Sequence, residues 1–168
     1  MKEIEPHLRL LGEHRVDCIV VGGVAATIHG SSQLTYDLDI CYNREPANLS
    51  RLVKALRSVN ARLRGAPADL PFILDEETLR RGLNFTFSTD IGSLDLLGEM
   101  SGVGGYREAR EDAEMRKLFG FPFLVLSLPK LIAAKRKAGR PKDLGAIPEL
   151  EAILENRTTA DQNIGKIK

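Results

Sequence analysis

At 168 residues, the chain is long enough for a single domain that buries a hydrophobic core of its own. Hydrophobic residues make up 43% of it and the net charge is +1, which is typical of a globular protein with no overall positive field to recruit nucleic acid. No secretory signal or membrane-spanning run is visible, and the two cysteines lack metal-ligand spacing, so we expect a cytoplasmic protein with no membrane partner.

Hydrophobic periodicity predicts alternating helices and strands along the chain. The first half is predicted to hold a surface helix, a buried strand, a brief helix after a Gly-Gly break, a second strand and an amphipathic helix, over residues 3–13, 17–21, 24–29, 36–42 and 46–59. The second half is predicted to hold a helical turn, a two-stranded hairpin, one or two strands and two helices, over residues 75–81, 83–97, 115–126, 127–138 and 143–155. Residues 100–107, together with Gly98 just before them, are rich in glycine and are predicted to form a flexible loop or a lid.

Two aspartates interrupt the second predicted strand, which is otherwise apolar. Because alternate strand residues point to the same side, Asp37 and Asp39 should project together, while Tyr36, Leu38 and Ile40 face the other way. Two like charges about 5 Å apart, at an effective dielectric constant of about 20, repel one another at a cost of roughly 3 kcal/mol. A fold accepts such a pair when a cation lies between the carboxylates or when they share a proton. The pair therefore indicates a functional site.

A third carboxylate, Asp95, lies in another apolar strand between Leu94 and Leu96. If this strand neighbours the strand of Asp37 and Asp39, the three carboxylates converge. Hard oxygen ligands of this kind suit Mg²⁺ or Mn²⁺. Two such ions about 4 Å apart can hold the attacking and leaving oxygens of an in-line phosphoryl displacement. A single strand acid also occurs as protection of a sheet edge, and that alternative stays open for Asp95.

Gly22 and Gly23 lie where the first strand ends and the brief helix begins. The free N–H groups of a helix N-terminus, together with the helix dipole, favour a phosphate at such a position. Because glycines lack side chains, they let a triphosphate approach the backbone closely. A tight turn explains many Gly-Gly pairs, but an Asp-x-Asp pattern on the next strand makes the combination more specific.

In combination, these patterns resemble a known superfamily. Gly22-Gly23, then Asp37-x-Asp39 between apolar neighbours, then a lone strand residue Asp95, resemble the DNA polymerase β-type nucleotidyltransferases. The superfamily resemblance implies a nucleotidyltransferase fold of the α+β class, in which helices pack on a small mixed sheet. It also implies transfer of a nucleoside monophosphate from an NTP to an acceptor, with release of pyrophosphate and participation of two Mg²⁺ or Mn²⁺ ions.

The segment from Leu126 to Asp143 narrows the resemblance. It is similar to the closing motif of the minimal nucleotidyltransferases related to the AbiEii toxin, a leucine-rich helix followed by lysine, small residues, arginine and a Lys-Asp pair. This branch implies the toxin-like half of a toxin–antitoxin or phage-defence system, with a cognate antitoxin as partner and RNA, protein or a small molecule as acceptor. The predicted parts are one domain over residues 1–157, its core over 15–126, its C-terminal helices over 127–157 and a polar tail over 158–168.

The resemblance also implies roles for individual residues. The catalytic residues and metal ligands would be Asp37, Asp39 and Asp95. The nucleotide would be bound by Gly22, Gly23, Lys135 and Arg140. The residues that surround and support this site would be Thr35 and Asp143.

Two positions depart from the pattern of this branch. Gln33 stands where an arginine is common, and Ala146, between Gly145 and Ile147, stands where a second aspartate is common. An alternative interpretation is therefore a catalytically degenerate module that keeps the fold and binds a nucleotide or a protein. An antibiotic-modifying nucleotidyltransferase is a further alternative, ranked lower because the sequence shows no separate acceptor domain.

Overall fold

A seven-stranded mixed β-sheet forms the centre of the fold. The computed structural model describes residues 4–67 and 71–165, with side chains described through residue 160. The strands are β1 (Cys18–Val20), β2 (Leu38–Tyr42), β3 (Arg62–Leu63), β4 (Asn84–Thr89), β5 (Gly92–Leu97), β6 (Glu99–Met100), β7 (Gly104–Gly105), β8 (Glu114–Leu118) and β9 (Phe121–Val125). The helices are α1 (Glu5–Glu13), α2 (Gly22–His29), α3 (Pro46–Ser58), α4 (Glu76–Arg81), α5 (Tyr106–Arg110), α6 (Leu128–Ala138) and α7 (Pro141–Gly165).

The strand order in the large sheet is β3-β4-β5-β2-β1-β9-β8, while β6 and β7 form a separate short hairpin. Two neighbouring pairs are parallel, β2 with β5 and β1 with β9, and the remaining pairs are antiparallel. Parallel neighbours require long connections, so helices and further strands lie between them in the chain. The predicted mixed sheet with helices packed on it is confirmed.

The central strands are the most deeply buried part of the sheet. Every residue of β1 and four of the five residues of β2 are buried. Helix α3 adds Leu49, Leu52 and Leu56, whose spacing puts them on one helix face. Helix α1 packs on β9 and α3, whereas α6 packs on α2 and α7. Helices α6 and α7 therefore lie beside α2, the helix that begins at the Gly-Gly pair.

Some predicted boundaries are wrong near the acidic strand. Strand β2 begins at Leu38 instead of residue 36, so Asp37 precedes the strand, and Tyr36 is 63% exposed instead of facing the core. Helix α2 begins at Gly22 and so includes both glycines. The predicted loop over 100–107 contains most of the β6–β7 hairpin and the start of α5. A lone glycine-rich stretch does not reveal a two-residue hairpin, because such short strands have no hydrophobic period.

The last helix is longer than predicted. Helix α7 extends to Gly165, and Pro148 lies inside it without ending it. No further glycine or proline occurs before Gly165, so nothing in the backbone interrupts the helix. The predicted polar tail over 158–168 is thus helical as far as Gly165, and residues 166–168 lie outside the described part of the chain.

Two further observations concern the predicted surroundings of the protein. Among the described residues, no helix combines the length and the apolar character that crossing a membrane requires. Cys18 and Cys41 are both free and buried, and burial raises the pKa of Cys41 to about 12. Both therefore behave as small core residues.

Leu96→Ala tests the assignment of β5 to the core. Leu96 is fully buried and pairs with Ile40, so its truncation should lower the free energy of unfolding by about 2–5 kcal/mol. Leu34→Ala deletes the same atoms from a side chain that is 84% exposed, and should change that free energy by less than about 0.5 kcal/mol. Urea denaturation measures both, and equal losses would contradict the assignment.

Candidate active site

The predicted site residues meet where the central strands of the sheet begin or end. Strands β1 and β9 end there and β2 begins there, because β1 is antiparallel to β2 and parallel to β9. One residue, Val21, separates β1 from helix α2. Its backbone N–H donates to the Asp39 carbonyl at 3.0 Å, which places the start of α2 beside β2. Residues that are far apart in the sequence thus reach one cleft.

Asp39 and Asp95 are direct neighbours, at one register position of the parallel pairing of β2 with β5. Burial, together with the negative charges of Asp95 and Asp37, raises the pKa of Asp39 to about 6. Burial also raises the pKa of Asp95; Arg64 opposes this rise and Asp37 adds to it. Asp37 is more open to solvent, with a side chain that is 52% exposed. All three predicted carboxylates line one cavity.

Arg64 forms ion pairs with two of these carboxylates. Its Nη1 atom lies 3.5 Å from Asp37 Oδ2, and its Nη2 donates to Asp95 Oδ1. Arg64 follows the edge strand β3, and its backbone N–H donates to the Thr86 carbonyl of β4 at 2.9 Å. The side chain therefore extends from the edge of the sheet to the acidic cluster.

The two glycines of α2 pack directly against the acidic residues and the loop before them. Gly22 has a φ of +62°, and a Cβ at this position would overlap the Asp39 carboxylate. A Cβ on Gly23 would lie 2.7 Å from Thr35 Oγ1. Gly22 is therefore required both for its backbone conformation and for the space that Asp39 occupies. The N–H groups of this first turn have no partners within the helix, so they remain available as donors.

The loop between α2 and β2 forms one wall of the cleft, and both Gln33 and Thr35 line it. Helix α7 holds this loop in place. Ser31 Oγ donates to Glu149 Oε2 at 2.6 Å, and the Ser32 N–H donates to Glu149 Oε1 at 2.8 Å. The C-terminal helix thus fixes the segment that leads into the acidic strand.

A second wall of the cleft, the basic wall, carries the predicted residues Lys135 and Arg140, and both form ion pairs with Asp143. Lys135 Nζ lies 3.2 Å from Asp143 Oδ1, and Arg140 Nε donates to Asp143 Oδ2 at 2.5 Å. Burial raises the pKa of Asp143, but the hydrogen bonds from Arg140 and Lys135 outweigh it, so the net pKa is lowered. Lys142 also lines the cleft, and its charge favours the ionised forms of Asp39 and Asp95.

The cleft has two lobes that share six lining residues: Gly22, Asp39, Asp95, Lys135, Arg140 and Asp143. The first lobe, of about 260 Å³, extends toward Gly23, Gln33 and Lys142 and is the more polar one. The second lobe, of about 370 Å³, extends between β4 and α6 and is lined by residues that include Asn84, Thr86, Glu99, Met100, Leu131 and Ala134.

A larger groove of about 840 Å³ lies elsewhere, with Asn43, Arg44 and Tyr106 among its lining residues. Asn43 and Arg44 follow the C-terminal end of β2, whereas Asp39 lies near its beginning. None of the predicted site residues lines this groove. Its volume is therefore a poor guide here, and we place the candidate active site in the smaller cleft with the convergent charges.

The carboxylates fit a divalent cation in their chemistry. Within residues 4–67 and 71–160, whose side chains the structure describes, no three His, Cys, Asp or Glu side chains are already gathered closely enough to hold a metal ion. Asp37 and Asp95 are instead turned to Arg64. The donor set nevertheless consists of oxygen ligands only. Burial and the charges of Asp95 and Asp37 raise the pKa of Asp39, and a bound cation would offset both effects.

Comparison with known proteins supports the fold. No protein-family model matches the chain, and no curated protein matches it significantly. Among solved structures, the antibiotic-resistance factor ANT(2'')-Ia matches with a TM-score of 0.51 and 13% identity, over 99% of this chain and 97% of that chain. A candidate nucleotidyltransferase from Thermotoga maritima matches with a TM-score of 0.51 and 13% identity, over 94% of both chains. The chain therefore has the nucleotidyltransferase fold.

Lys142 lines the cleft and Arg64 contacts two of its carboxylates, but neither is among the predicted site residues. Lys142 belongs to the Lys-Asp pair of the closing motif, and that pair is the signal that indicates it. Arg64 carries no comparable signal. It reaches Asp95 only because β3, β4 and β5 are neighbours in the sheet, and this order is not visible in the sequence.

Gly22→Ala should destabilise the protein by about 1–3 kcal/mol, because alanine disfavours a positive φ and its Cβ would displace the Asp39 carboxylate. Gly145→Ala is the matched control. It lies in α7 with nothing within 4 Å of the added Cβ, so it should be neutral or stabilising by up to about 1 kcal/mol. Urea denaturation measures both, and similar effects of the two alanines would contradict the described packing.

The raised pKa of Asp39 predicts a signed pH dependence of stability. In the folded protein the pKa of Asp39 is about 6, against an ordinary pKa of 3.8, so the carboxyl keeps its proton to a higher pH. Its protonation therefore favours folding fully at low pH, and this contribution is lost as the pH rises from about 4 to about 6. Asp39→Asn removes the loss, so the variant should gain up to about 3 kcal/mol over wild type across this window.

The measurement is the free energy of urea unfolding for both proteins between about pH 4 and pH 8, with divalent cations removed. The difference between the proteins isolates Asp39 from the other carboxylates that titrate in the same range. A difference that stays constant with pH would show that Asp39 has an ordinary pKa.

Proposed function

We propose that the chain is a metal-dependent nucleotidyltransferase. It would transfer a nucleoside monophosphate from an NTP to an acceptor and release pyrophosphate. The observation that carries this proposal is the meeting of three carboxylates, the Gly-Gly start of α2 and a basic wall in one cleft. The nucleotidyltransferase fold of the chain supports it.

The first lobe is suited to the triphosphate. Gly22 and Gly23 offer backbone N–H donors at the beginning of a helix, without side chains to hinder approach. Arg140 and Lys142 bring positive charge to the same lobe. Lys135 also borders it, and its ion pair with Asp143 fixes the ammonium group in advance. A cation that is already ordered loses less entropy when a phosphate binds.

The carboxylates would bind the cation, and one of them would accept the proton of the acceptor hydroxyl. A bound Mg²⁺ or Mn²⁺ would supply charge neutralisation at the transferring phosphoryl group, held by Asp37, Asp39 and Asp95. Asp95, whose pKa is raised by burial, is suited to accept the proton of the acceptor hydroxyl. The acceptor oxygen then bonds to the α-phosphorus, the bond from the α-phosphorus to the bridging oxygen breaks, and pyrophosphate leaves with that electron pair.

The acceptor and the biological setting are finer parts of the proposal. RNA, protein and small molecules are all candidate acceptors, and an AbiEii-like toxin with a cognate antitoxin in the cytoplasm is the setting that the closing motif supports. Because an antibiotic-resistance factor aligns with this chain over nearly its full length, the lack of a separate acceptor domain does not argue against a small-molecule acceptor. We therefore rank that class beside the others.

A degenerate nucleotide-binding module with the same fold is the second candidate. The pairing of Arg64 with Asp37 and Asp95 favours it, because one guanidinium already offsets part of their negative charge. Gln33, which lies in the cleft, also favours it. Ala146 gives it no support, since that residue is buried in the core and does not line the cleft.

Incubation with Mg²⁺, α-labelled NTPs and a panel of tRNA, protein and aminoglycoside acceptors should give label transfer. Asp37→Ala and Asp39→Ala should each lower the rate by at least about 100-fold, because both remove charge at the reacting phosphoryl group. Chelation of divalent cations should abolish transfer.

Asp90→Ala is the matched control, since Asp90 lies in the turn between β4 and β5 and does not line either lobe. It should leave the rate within about twofold of wild type. Transfer that survives both cleft substitutions would rule out the catalytic assignment. Metal-enhanced NTP binding without transfer to any acceptor would favour the binding module instead.

A further inference from the structure

The Arg64 side chain extends from a backbone that is hydrogen-bonded to the sheet. The backbone N–H of Arg64 donates to the Thr86 carbonyl, which continues the antiparallel pairing of β3 with β4. Thr86 in turn pairs with Asp95 on β5. The guanidinium therefore reaches across β4 to Asp95, and its ion pairs with Asp37 and Asp95 lie at the tip of the side chain.

The pairing is selective among the three carboxylates. Arg64 contacts Asp37 and Asp95, and in the described part of the chain neither carboxylate has another ion-pair partner. Asp39 is not in contact with Arg64, and the positive charges that act on it are those of Lys142 and Arg140. Two of the three predicted metal ligands thus share one cation from the protein itself.

We propose that Arg64 and a divalent cation compete for Asp37 and Asp95, so that metal loading requires the Arg64 side chain to leave the cluster. This inference rests on the proposed function, because it presupposes that the carboxylates bind metal. A guanidinium and a metal ion both need the carboxylate oxygens as acceptors or ligands. Because the guanidinium already lies against both carboxylates, a metal ion bound there would be held close to a second positive charge, and the two cations would repel each other.

The surroundings of Arg64 allow such an exchange. Its side chain is 32% exposed, so release does not require the core to open. Arg64 also borders a cavity of about 410 Å³ on the β3 side, lined by residues that include Arg62, Gly65 and Phe72. A released guanidinium can occupy this space while its backbone stays hydrogen-bonded to β4.

The consequence is a metal affinity lower than the three carboxylates alone would give. Arg64→Ala should lower the dissociation constant for Mn²⁺ by about three- to tenfold at about pH 8, where the carboxylates are ionised. Arg64→Lys, which keeps the charge but not the two-pronged donor geometry, should fall between wild type and Arg64→Ala. Binding of Mn²⁺ alone is measured by the loss of the free-ion electron paramagnetic resonance signal, so the readout does not depend on activity.

Arg62→Ala is the matched control, because it removes the same charge two residues away on an exposed position of β3. It should change Mn²⁺ affinity by less than about twofold, whereas a general charge effect would move both variants equally. Asp39→Asn tests the metal site itself and should weaken binding in every background.

Equal Mn²⁺ affinity in wild type and Arg64→Ala, with label transfer intact, would overturn the competition while leaving the proposed function standing. Equal gains from Arg62→Ala and Arg64→Ala would also overturn it. Failure of all proteins to bind Mn²⁺, together with absence of transfer, would overturn both proposals. A gain confined to Arg64→Ala supports the competition.

Discussion

The parallel pairing of β2 with β5 is the constraint on which the rest of the cleft depends. It puts Asp39 and Asp95 at one register position, so that two carboxylates share a place where burial already disfavours charge. Three neighbouring residues make room for these two carboxylates or offset their charge. Gly22 leaves room for the Asp39 carboxylate, Arg64 neutralises Asp95, and the charge of Lys142 acts on both acids. Part of the free energy of binding a cation there would come from relieving this repulsion.

Sequence patterns predict those parts of the site that depend on residues close together in the sequence. The Gly-Gly pair and the alternation around Asp39 predict the strand, the helix start and the acidic face, because strand periodicity is a property of neighbouring residues. Arg64 is not predictable in this way, since the order of β3, β4 and β5 brings it to Asp95. Tyr36 misleads for a related reason. An aromatic residue in an alternating pattern suggests the core, yet β2 begins two residues later.

Asp143 gives the basic wall a different character from a solvated run of charges. A helix with several lysines and arginines is usually a surface feature, but here Asp143 is buried and binds both Lys135 and Arg140. The two cations are held between α6 and the start of α7, so their positions follow from the packing of those helices. The departures from the family pattern separate on the same basis: Gln33 lies in the cleft, whereas Ala146 contributes to the packing of α7.

The cleft also has a consequence for how the protein is made. Its acidic half comes from residues 22–39 and 95, while its basic half comes from residues 135–143, and Glu149 then secures the loop before Asp37. Translation proceeds from the N-terminus, so a nascent chain acquires the carboxylates long before the residues that would face a phosphate. A product terminated before α6 would carry half a cleft. The cleft would therefore be complete only after α6 and α7 have been synthesised and have packed against α2.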